Sequence, residues 1–273
     1  MNKLFVAAFL LLLARPLLAV EEENPSGIRI VREEAATSVT LRIESKYTSE
    51  FTVTLEATLD NMKSSRPVPF TVDSAGRQSF VLVRFDRIDP TRRWRYHYQP
   101  YWTYGGRRNT TTNDADYAMP FGPGRYVVMQ GPRGSFSHFV GSGSENAVDW
   151  TCPVGTIVCA AREGRVVAVK QDSTVGGNDR KWRPFANYVL IKHADGTFAD
   201  YVHLQPDGVM VNIGDEVTTG QPIARSGKTG FTSAPHLHFS VFQTVDGKTK
   251  LTLPFRLKTD RGTFTQFVRG QVY

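Results

Sequence analysis

Two histidines only two residues apart, His236 and His238, are the side chains of this chain best placed for chemistry. They lie in an apolar, β-branched run that predicts a strand, in which successive side chains alternate between two faces. Both imidazoles therefore share one face, while Leu237, Phe239 and Val241 point to the other, towards a core. Paired imidazoles suit a metal site in which one binds the ion and the other works beside it. Two ordinary, partly exposed histidines would give the same pattern.

Histidine is the residue type around which the rest of the chemistry can be arranged. The chain has six histidines, at positions 97, 138, 193, 203, 236 and 238. A catalytic zinc ion usually takes three protein ligands from His, Asp or Glu and leaves a fourth position for water. Further histidines beside that water assist proton transfer and stabilise a developing oxyanion. The six histidines are therefore enough for a hydrolytic zinc site with additional catalytic groups.

Ten short segments between residues 131 and 243 form an ordered series of motifs. In chain order they are Ser137-His138, Ala147-Val-Asp149, Val154-Gly-Thr156, Ala160-Ala-Arg-Glu-Gly164, Asn187-Tyr-Val-Leu-Ile191, His193-Ala-Asp-Gly196, Tyr201-Val-His-Leu204, Gly214-Asp-Glu-Val-Thr-Thr-Gly-Gln221, Ser226-Gly-Lys-Thr-Gly230 and Pro235-His-Leu-His238. No single segment is decisive, but ten in one order are very improbable by chance. Together they resemble the lysostaphin-type (LytM-like) zinc metalloendopeptidases, over more than a third of the chain.

The resemblance implies a role for each of five residues. Carried over by position, the zinc ligands are His138, Asp149 and His238. The two catalytic histidines that do not bind the metal are His203 and His236. They would orient the water that zinc activates, take its proton and stabilise the tetrahedral intermediate. Which of the two acts as the base stays open.

Strand periodicity supports part of this set. Alternation along the segment Tyr201-Val-His203 predicts that Tyr201 and His203 share one face of a strand, as His236 and His238 do. One concave sheet would then bring the histidines together.

The first ligand departs from the family pattern, in which the histidine and the aspartate are spaced as His-x3-Asp. Here His138 and Asp149 are eleven positions apart. The intervening loop is rich in glycine and serine, and the entropy cost of closing a loop rises only slowly with its length. His138 is therefore kept as the first ligand, ahead of His97 in the other predicted domain and His193 in a hairpin.

The first nineteen residues predict a signal peptide. Lys3 gives a basic start, residues 4–14 are apolar, and Ala19 offers a small residue before a cut. Arg15 and Pro16 interrupt the apolar run well short of the roughly 20 residues that a membrane-spanning helix needs. No cysteine follows the cut, so a lipid anchor is not indicated. We expect a periplasmic or secreted protein with no transmembrane anchor after signal cleavage.

The charge of the chain agrees with an extracytoplasmic partner. Its 33 basic and 26 acidic side chains give a formal net charge of +7. A basic surface favours anionic polymers such as nucleic acid, a membrane or a cell wall. Export argues against nucleic acid, which leaves the cell wall or a membrane surface.

The chain has two cysteines, Cys152 and Cys159. Their spacing is not the short Cys-x2-Cys of a structural zinc site. In an oxidising compartment an even pair can close a small disulfide loop, and two buried free thiols are the alternative.

Alternating apolar residues and frequent turn signals predict an all-β protein with two domains. Val39, Leu41 and Ile43 illustrate the alternation in the first part, where short strands separated by turns predict a β-sandwich-like domain over residues 20–125. The aromatic segment 94–102 fits a packing strand of that domain. A stretch rich in proline and glycine at 119–124 predicts the boundary. Residues 126–273 continue as a mostly antiparallel β domain with Asp-Gly hairpin turns.

These predictions describe an exported zinc metalloendopeptidase whose substrate, by resemblance, is the peptide part of peptidoglycan, cut at a cross-link or an interpeptide bridge. The alternative from another class is a catalytically inactive LytM-like regulator that binds and activates another cell-wall hydrolase. Such relatives commonly lack ligands or catalytic histidines, whereas all five positions are filled here. A wall-binding module with structural zinc is a third reading, although structural zinc sites are usually four-coordinate and closed. The N-terminal domain would position substrate, dock a protein partner or shield the groove.

Overall fold

The computed structural model of the protein describes residues 17–20, 27–46, 49–108 and 113–273. These residues form 24 strands and one short 3-10 helix, so the prediction of an all-β protein is confirmed. Residues 1–16 of the predicted signal peptide lie outside the described residues, and its last three residues fall in the strand Leu17–Val20 (β1). No helix in the described part of the chain is long and apolar enough to cross a membrane.

The chain divides into two compact units, and the first covers residues 1–48, 55–70 and 77–99 as far as they are described. The strands of this part of the chain are β2 (Ile28–Ala35), β3 (Ser38–Ser45), β4 (Phe51–Asp60), β5 (Met62–Ser64), β6 (Phe70–Asp73), β7 (Ser79–Arg87) and β8 (Arg95–Tyr104). Strands β4, β6 and β8 each contribute residues to both units. The main sheet of the first unit is antiparallel, in the order β1-β2-β3-β7-β5.

The core face of this sheet follows the alternation seen in the sequence. Val39, Leu41 and Ile43 on β3 are almost completely buried, and Val39 and Leu41 lie opposite Phe85 and Val83 of β7. The apolar period of two therefore marks the buried face of β3 correctly. The sandwich-like arrangement of the N-terminal domain stays a prediction.

The second unit covers residues 49–54, 71–76 and 100–273, again without residues 109–112, which are not described. Its elements are β9 (Asp116–Ala118), β10 (Val127–Gln130), β11 (Val148–Thr151), β12 (Ile157–Cys159), β13 (Gly164–Lys170), β14 (Gly176–Gly177), the 3-10 helix Arg180–Phe185, β15 (Tyr188–Lys192), β16 (Phe198–Val202), β17 (Leu204–Val209), β18 (Glu216–Val217), β19 (Pro222–Ser226), β20 (Gly230–Phe231), β21 (His236–Thr244), β22 (Lys250–Leu253), β23 (Arg256–Thr259) and β24 (Gly262–Phe264). Its largest sheet has the order β10-β11-β21-β16-β15-β13-β18, and β22 also pairs with β21. Every pairing in this sheet is antiparallel, as predicted.

Strand β21 lies in the middle of this sheet, with β11 on one side and β16 on the other. Leu237, Phe239 and Val241 are fully buried in the hydrophobic core of the unit. Phe239 packs against Tyr201 of β16, with ring centroids 5.2 Å apart. The predicted core face of the histidine strand is therefore correct.

Residues 100–108 and 113–125 lie with the second unit, although composition predicts a domain boundary near residue 125. Strand β9 pairs in parallel with β23, and its Tyr117 is fully buried in the core of the second unit. Phe121, within the stretch taken as a domain linker, belongs to the same core and forms a bridge with Val158. Proline and glycine break the regular structure there, but the chain remains packed.

The two cysteines are present as buried free thiols rather than as a disulfide. Burial raises the pKa of both Cys152 and Cys159. These thiols therefore stay protonated at neutral pH and behave as small apolar side chains.

Candidate active site

Strand register brings Asp149 next to the histidine pair. Asp149 on β11 lies directly opposite His238 on β21, and Thr151 lies opposite His236. Directly opposed residues of an antiparallel pair point to the same face, so the carboxylate shares the face of both imidazoles. Asp149 Oδ1 is 2.8 Å from His238 Nδ1 and 3.7 Å from His236 Nε2.

A loop between β10 and β11 brings His138 to the same place. Its side chain is completely buried, and its Nε2 atom lies 3.3 Å from both His238 Nδ1 and Asp149 Oδ2. The Nδ1 atom is 3.1 Å from the carbonyl oxygen of Gly131. Because a carbonyl oxygen only accepts, Nδ1 carries the proton in this contact and the Nε2 lone pair faces Asp149 and His238.

The eleven-residue spacing between His138 and Asp149 is closed by hydrogen bonds within the loop. The backbone amide of Arg133 donates to the carbonyl oxygen of Glu145 at 2.8 Å. The Glu145 carboxylate accepts from the amide of Gly141 at 3.0 Å and from the Arg133 guanidinium at 3.1 Å. The side-chain amide of Asn146 donates to the carbonyl oxygen of Thr252 at 2.8 Å. These contacts order the longer loop and return it to β11.

His138, Asp149 and His238 together fit a zinc ion. Their ligating atoms all lie within 4.8 Å of one another, and the closest pairs are 2.8 and 3.3 Å apart. Bonds of 2.0–2.1 Å in a tetrahedral site place neighbouring ligand atoms about 3.3 Å apart. Two imidazole nitrogens and one carboxylate are a usual ligand set for catalytic zinc. The cluster therefore fits the spacing and the chemistry of this metal without rearrangement of the chain.

The electrostatics of Asp149 also favour a cation. This carboxylate is 3% exposed, and its ion-pair partners among the described residues are His138, His236 and His238, with no lysine or arginine. Burial alone would raise the pKa of Asp149, but the imidazoles of His138 and His238 outweigh burial and hold the pKa well below its usual range. A buried anion of this kind needs a compensating positive charge, which a metal ion supplies.

His203 reaches the site by an unusual backbone conformation. It follows the end of β16 with a φ of +67°, in the left-handed region that non-glycine residues seldom occupy. Tyr201 faces the core against Phe239, whereas the His203 ring lies 4.5 Å from the ring of His236 and 6.1 Å from that of His238. The prediction that Tyr201 and His203 share one face is therefore wrong, because the positive φ ends the alternation between them.

His203 and His236 are each held through Nδ1. His203 Nδ1 donates to the carbonyl oxygen of Thr229 at 2.7 Å. His236 Nδ1 donates to the carbonyl oxygen of Ala234 at 2.8 Å and lies 3.0 Å from Thr232 Oγ1. These contacts leave both Nε2 atoms with a free lone pair, and His236 Nε2 faces Asp149.

The surroundings keep both imidazoles neutral at neutral pH. Burial, assisted by the nearby His236 and His238, lowers the pKa of His203 to about 3. Burial also lowers the pKa of His236, although the negative charge of Asp149 opposes that change. A neutral imidazole can accept a proton, so both rings are in the form that a general base requires.

The remaining histidines lie elsewhere in the described chain. His97 lies on the exposed side of β8. His193 follows β15, and its Nδ1 donates to the carbonyl oxygen of Glu163 at 2.7 Å. The structure thus brings together all five residues predicted for the site, and neither of the rejected histidines.

Sequence reasoning did not identify the residues that support the five. Thr229 and Thr232 hold His203 and His236, and Gln130 donates to Asp149 Oδ2 at 3.1 Å. Thr229 lies within a recognised motif, so a sequence signal existed for it. Gln130 directly precedes the region of resemblance, and no signal in the sequence points to it.

Comparison with known proteins agrees with this geometry. Residues 143–250 match the profile described as Peptidase family M23. This range contains Asp149, His203, His236 and His238, and begins five residues after His138. Zinc is the cofactor of this family, and the His138, Asp149 and His238 cluster provides the matching site.

Several curated relatives carry the names of endopeptidases. Peptidoglycan DD-endopeptidase ShyA of Vibrio cholerae serotype O1 is 30% identical over 127 residues, which cover 45% of this chain and 26% of the relative. Peptidoglycan DD-endopeptidase ShyB of the same organism is 34% identical over 35% of this chain and 20% of its own length. Glycyl-glycine endopeptidase ALE-1 of Staphylococcus capitis is 36% identical over 37% of this chain and 25% of its own length. The matched part thus spans about a quarter of the length of these relatives.

Among solved structures, the catalytic domain of lysostaphin from Staphylococcus simulans is 28% identical to the matched part. The alignment covers 47% of this chain and 87% of that domain, with a TM-score of 0.33.

Proposed function

We propose that this protein is an exported zinc metalloendopeptidase that hydrolyses peptide cross-links or bridges of peptidoglycan, because residues 143–250 match the profile of peptidase family M23. His138, Asp149 and His238 hold the zinc, and His203 and His236 are the catalytic histidines. The end of the signal peptide at residue 19, the export and the substrate are all parts of this proposal.

The convergence of five side chains supports the proposal most strongly. Two imidazole nitrogens and a buried carboxylate lie within 4.8 Å of one another. Two further imidazoles lie against this cluster, with the rings of His203 and His236 4.5 Å apart. A purely structural zinc site is usually closed by a fourth protein ligand, whereas histidines kept neutral beside three ligands suit proton transfer.

The chain's own residues divide the catalytic work. Zinc in this site supplies a Lewis acid that polarises the scissile carbonyl and lowers the pKa of water to about 7. His203 and His236 each keep a free Nε2 lone pair, because their Nδ1–H groups donate to the carbonyl oxygens of Thr229 and Ala234. One Nε2 atom would accept the proton of the attacking water, and the imidazolium N–H formed in this way would stabilise the negative charge on the carbonyl oxygen. The other Nε2 atom would orient the water by accepting a hydrogen bond from it.

The proposed substrate rests on the curated relatives. Two of them are named peptidoglycan DD-endopeptidases and one a glycyl-glycine endopeptidase. All three names therefore describe enzymes that cut within a peptide. Peptidoglycan peptides are the substrate class that best accounts for this group of relatives. The net charge of +7 is compatible with an anionic cell wall.

The rival function, an inactive regulator of another cell-wall hydrolase, gains no support from the site. Loss of a ligand or of a catalytic histidine would have favoured it, and all five residues are present. A protein partner docked by the N-terminal domain is compatible with either function.

The test measures zinc and hydrolysis on the same purified protein. We expect one zinc per chain and release of peptide fragments from purified peptidoglycan, both abolished by a chelator and restored by zinc. His236→Ala should lower the rate by about 10²–10⁴-fold, the range for loss of a general acid–base, while zinc stays bound. His97→Ala, in which an exposed histidine outside the site is removed, is the matched control. Hydrolysis by His236→Ala at the parent rate would contradict the assigned mechanism.

A further inference from the structure

The side chain of Gln130 contacts two parts of the zinc site at once. Its Nε2 donates to Asp149 Oδ2 at 3.1 Å and to Ser137 Oγ at 2.8 Å. Its Oε1 accepts from the backbone amides of Phe136 and Ser137 at 3.0 and 3.2 Å. One end of this amide therefore holds a zinc ligand, and the other holds the loop just before His138.

These four contacts use the full hydrogen-bonding capacity of the amide. A glutamine side chain has two N–H donors and an oxygen with two lone pairs, and Gln130 is 9% exposed. The reverse orientation would put the oxygen against the Asp149 carboxylate and the NH₂ group against two backbone N–H donors. Only the observed orientation satisfies every partner.

The backbone is shaped to place this side chain. Gln130 ends β10 directly opposite Asp149, and the register between β10 and β11 shifts between Val128 and Gln130. Such an irregularity re-aims a side chain relative to the regular ladder. The loop then passes so close that a Cβ on Gly134 would lie 2.4 Å from Gln130 Cγ. A glycine at 134 is what allows the loop to close over the amide.

We propose that Gln130 is a positioning residue that joins Asp149 to the loop carrying His138, so that the two ligands are set relative to each other before zinc binds. The loop needs this hydrogen-bonded connection because His138 and Asp149 are eleven residues apart and do not lie on one strand. Gln130 acts through these ligands and does not itself contact the metal or the substrate. The inference rests on the proposed zinc site but not on the proposed substrate.

The first experiment compares zinc affinity in the full protein and in Gln130→Met, which has a similar length but no hydrogen-bonding atoms. Loss of an outer hydrogen-bond partner of a metal ligand typically weakens metal binding about 10–100-fold, and we expect that change in Kd by chelator competition. Asn146→Ala is the matched control, because the Asn146 side chain contacts Thr252 and not Asp149, and the backbone amide of residue 146 still anchors the loop to Thr252 Oγ1 at 3.1 Å. Its zinc Kd should stay within about threefold of the parent value. Equal losses of zinc affinity in the two variants would mean that Gln130 only anchors the loop, as Asn146 does, and would overturn the proposal.

A second variant covers the case in which Gln130→Met does not fold, as judged by thermal unfolding without metal. Gln130→Glu keeps an acceptor for the amides of Phe136 and Ser137 but, when ionised, cannot donate to Asp149. We expect both amides to remain protected from hydrogen exchange while the zinc Kd rises at least about tenfold. An unchanged or lower Kd would contradict the proposal. Because the readout is zinc affinity, a parent protein that binds zinc but cleaves no peptidoglycan would refute the proposed function alone.

Discussion

Asp149, His236 and His238 reach the site by strand register, whereas His138 and His203 reach it on backbone that has left the sheet. The first group lies on paired strands, where ladder hydrogen bonds set both the position and the face of each side chain. His138 depends on a loop closed by its own hydrogen bonds, and His203 on a residue with a φ of +67°. The strand-borne residues are thus positioned by the core, and the other two by local contacts that can be altered one at a time.

The difference predicts where substitutions act. Substitution of a ligand on a strand should remove its bond to zinc and leave the sheet folded. Other residues of β21, which do not contact the site, form the core face of that strand. A change around His138 alters the placement of a ligand as well as its identity. The following predictions test this contrast.

Asp149→Ala should have the largest effect. It removes a ligand and the buried anion that lies between three imidazoles, so zinc content should fall to background and hydrolysis should be lost. The matched control is Asp200→Ala on the neighbouring strand β16, where the carboxylate pairs with Lys250 at 3.0 Å outside the site. Elemental analysis and a peptidoglycan hydrolysis assay measure the two outcomes. Stoichiometric zinc in Asp149→Ala would show that the strand register does not define the metal site.

His138→Ala should have the next largest effect and tests the loop-borne ligand. We expect the zinc Kd to rise by more than the roughly 100-fold upper range for outer partners, because a ligand itself is lost. The loop should stay ordered, since the hydrogen bonds that Arg133, Gly141 and Asn146 make to close it do not involve the His138 ring. Hydrogen exchange of the amides of residues 133–147 checks the second point. Parent-like zinc affinity would mean that another residue is the first ligand.

The smallest expected effect on zinc binding and hydrolysis is that of substituting His193, a buried histidine outside the site. Burial lowers the pKa of His193 to about 4, and its Nε2 has no hydrogen-bond partner within the described chain. The unfolded state, in which the pKa is about 6.5, binds a proton more tightly than the folded state does. Acid therefore lowers the free energy of unfolding. The neutral form of His193 is fully compatible with the fold above pH 6.5, and stability falls as the pH drops from 6.5 to 4.

His193→Gln should reduce this acid sensitivity. The pKa difference of about 2.5 units corresponds to a loss of up to about 3.5 kcal/mol in the parent, at about 1.4 kcal/mol per unit. Urea unfolding of the metal-free protein at pH 7 and at pH 4 measures the free energy of unfolding in both proteins. A pH dependence identical in parent and variant would exclude His193 as its source. Without the loss of stability in acid that His193 causes, the pH dependence of hydrolysis is easier to attribute to His203 and His236.

Sequence periodicity predicted the shared face of His236 and His238 and failed for His203, whereas Asp149 was predicted from the ordered motifs. The alternation in β21 correctly separated His236 and His238 from Leu237 and Phe239. It placed His203 on the face of Tyr201, because a period of two carries no information about a positive φ. His138 was found only through the ordered motifs, since an eleven-residue spacing has no geometric meaning until the loop contacts are known.

Two other features had no local signal. Gln130 is an ordinary polar residue in sequence, and its role depends on a strand register and on a loop passing over it. Residues 119–124 have the composition of a linker, yet Phe121 packs in the core of the second unit. Both depend on contacts distant in the chain, which composition and periodicity do not report.

The left-handed backbone at residue 203 sets stability and function against each other. An L-residue in this conformation costs roughly 1–2 kcal/mol relative to glycine, which adopts it freely. A histidine there is therefore less stable than a glycine, but glycine has no ring to place beside His236. Selection of a random library for thermal stability alone should enrich glycine at 203, and selection for hydrolysis should restore histidine.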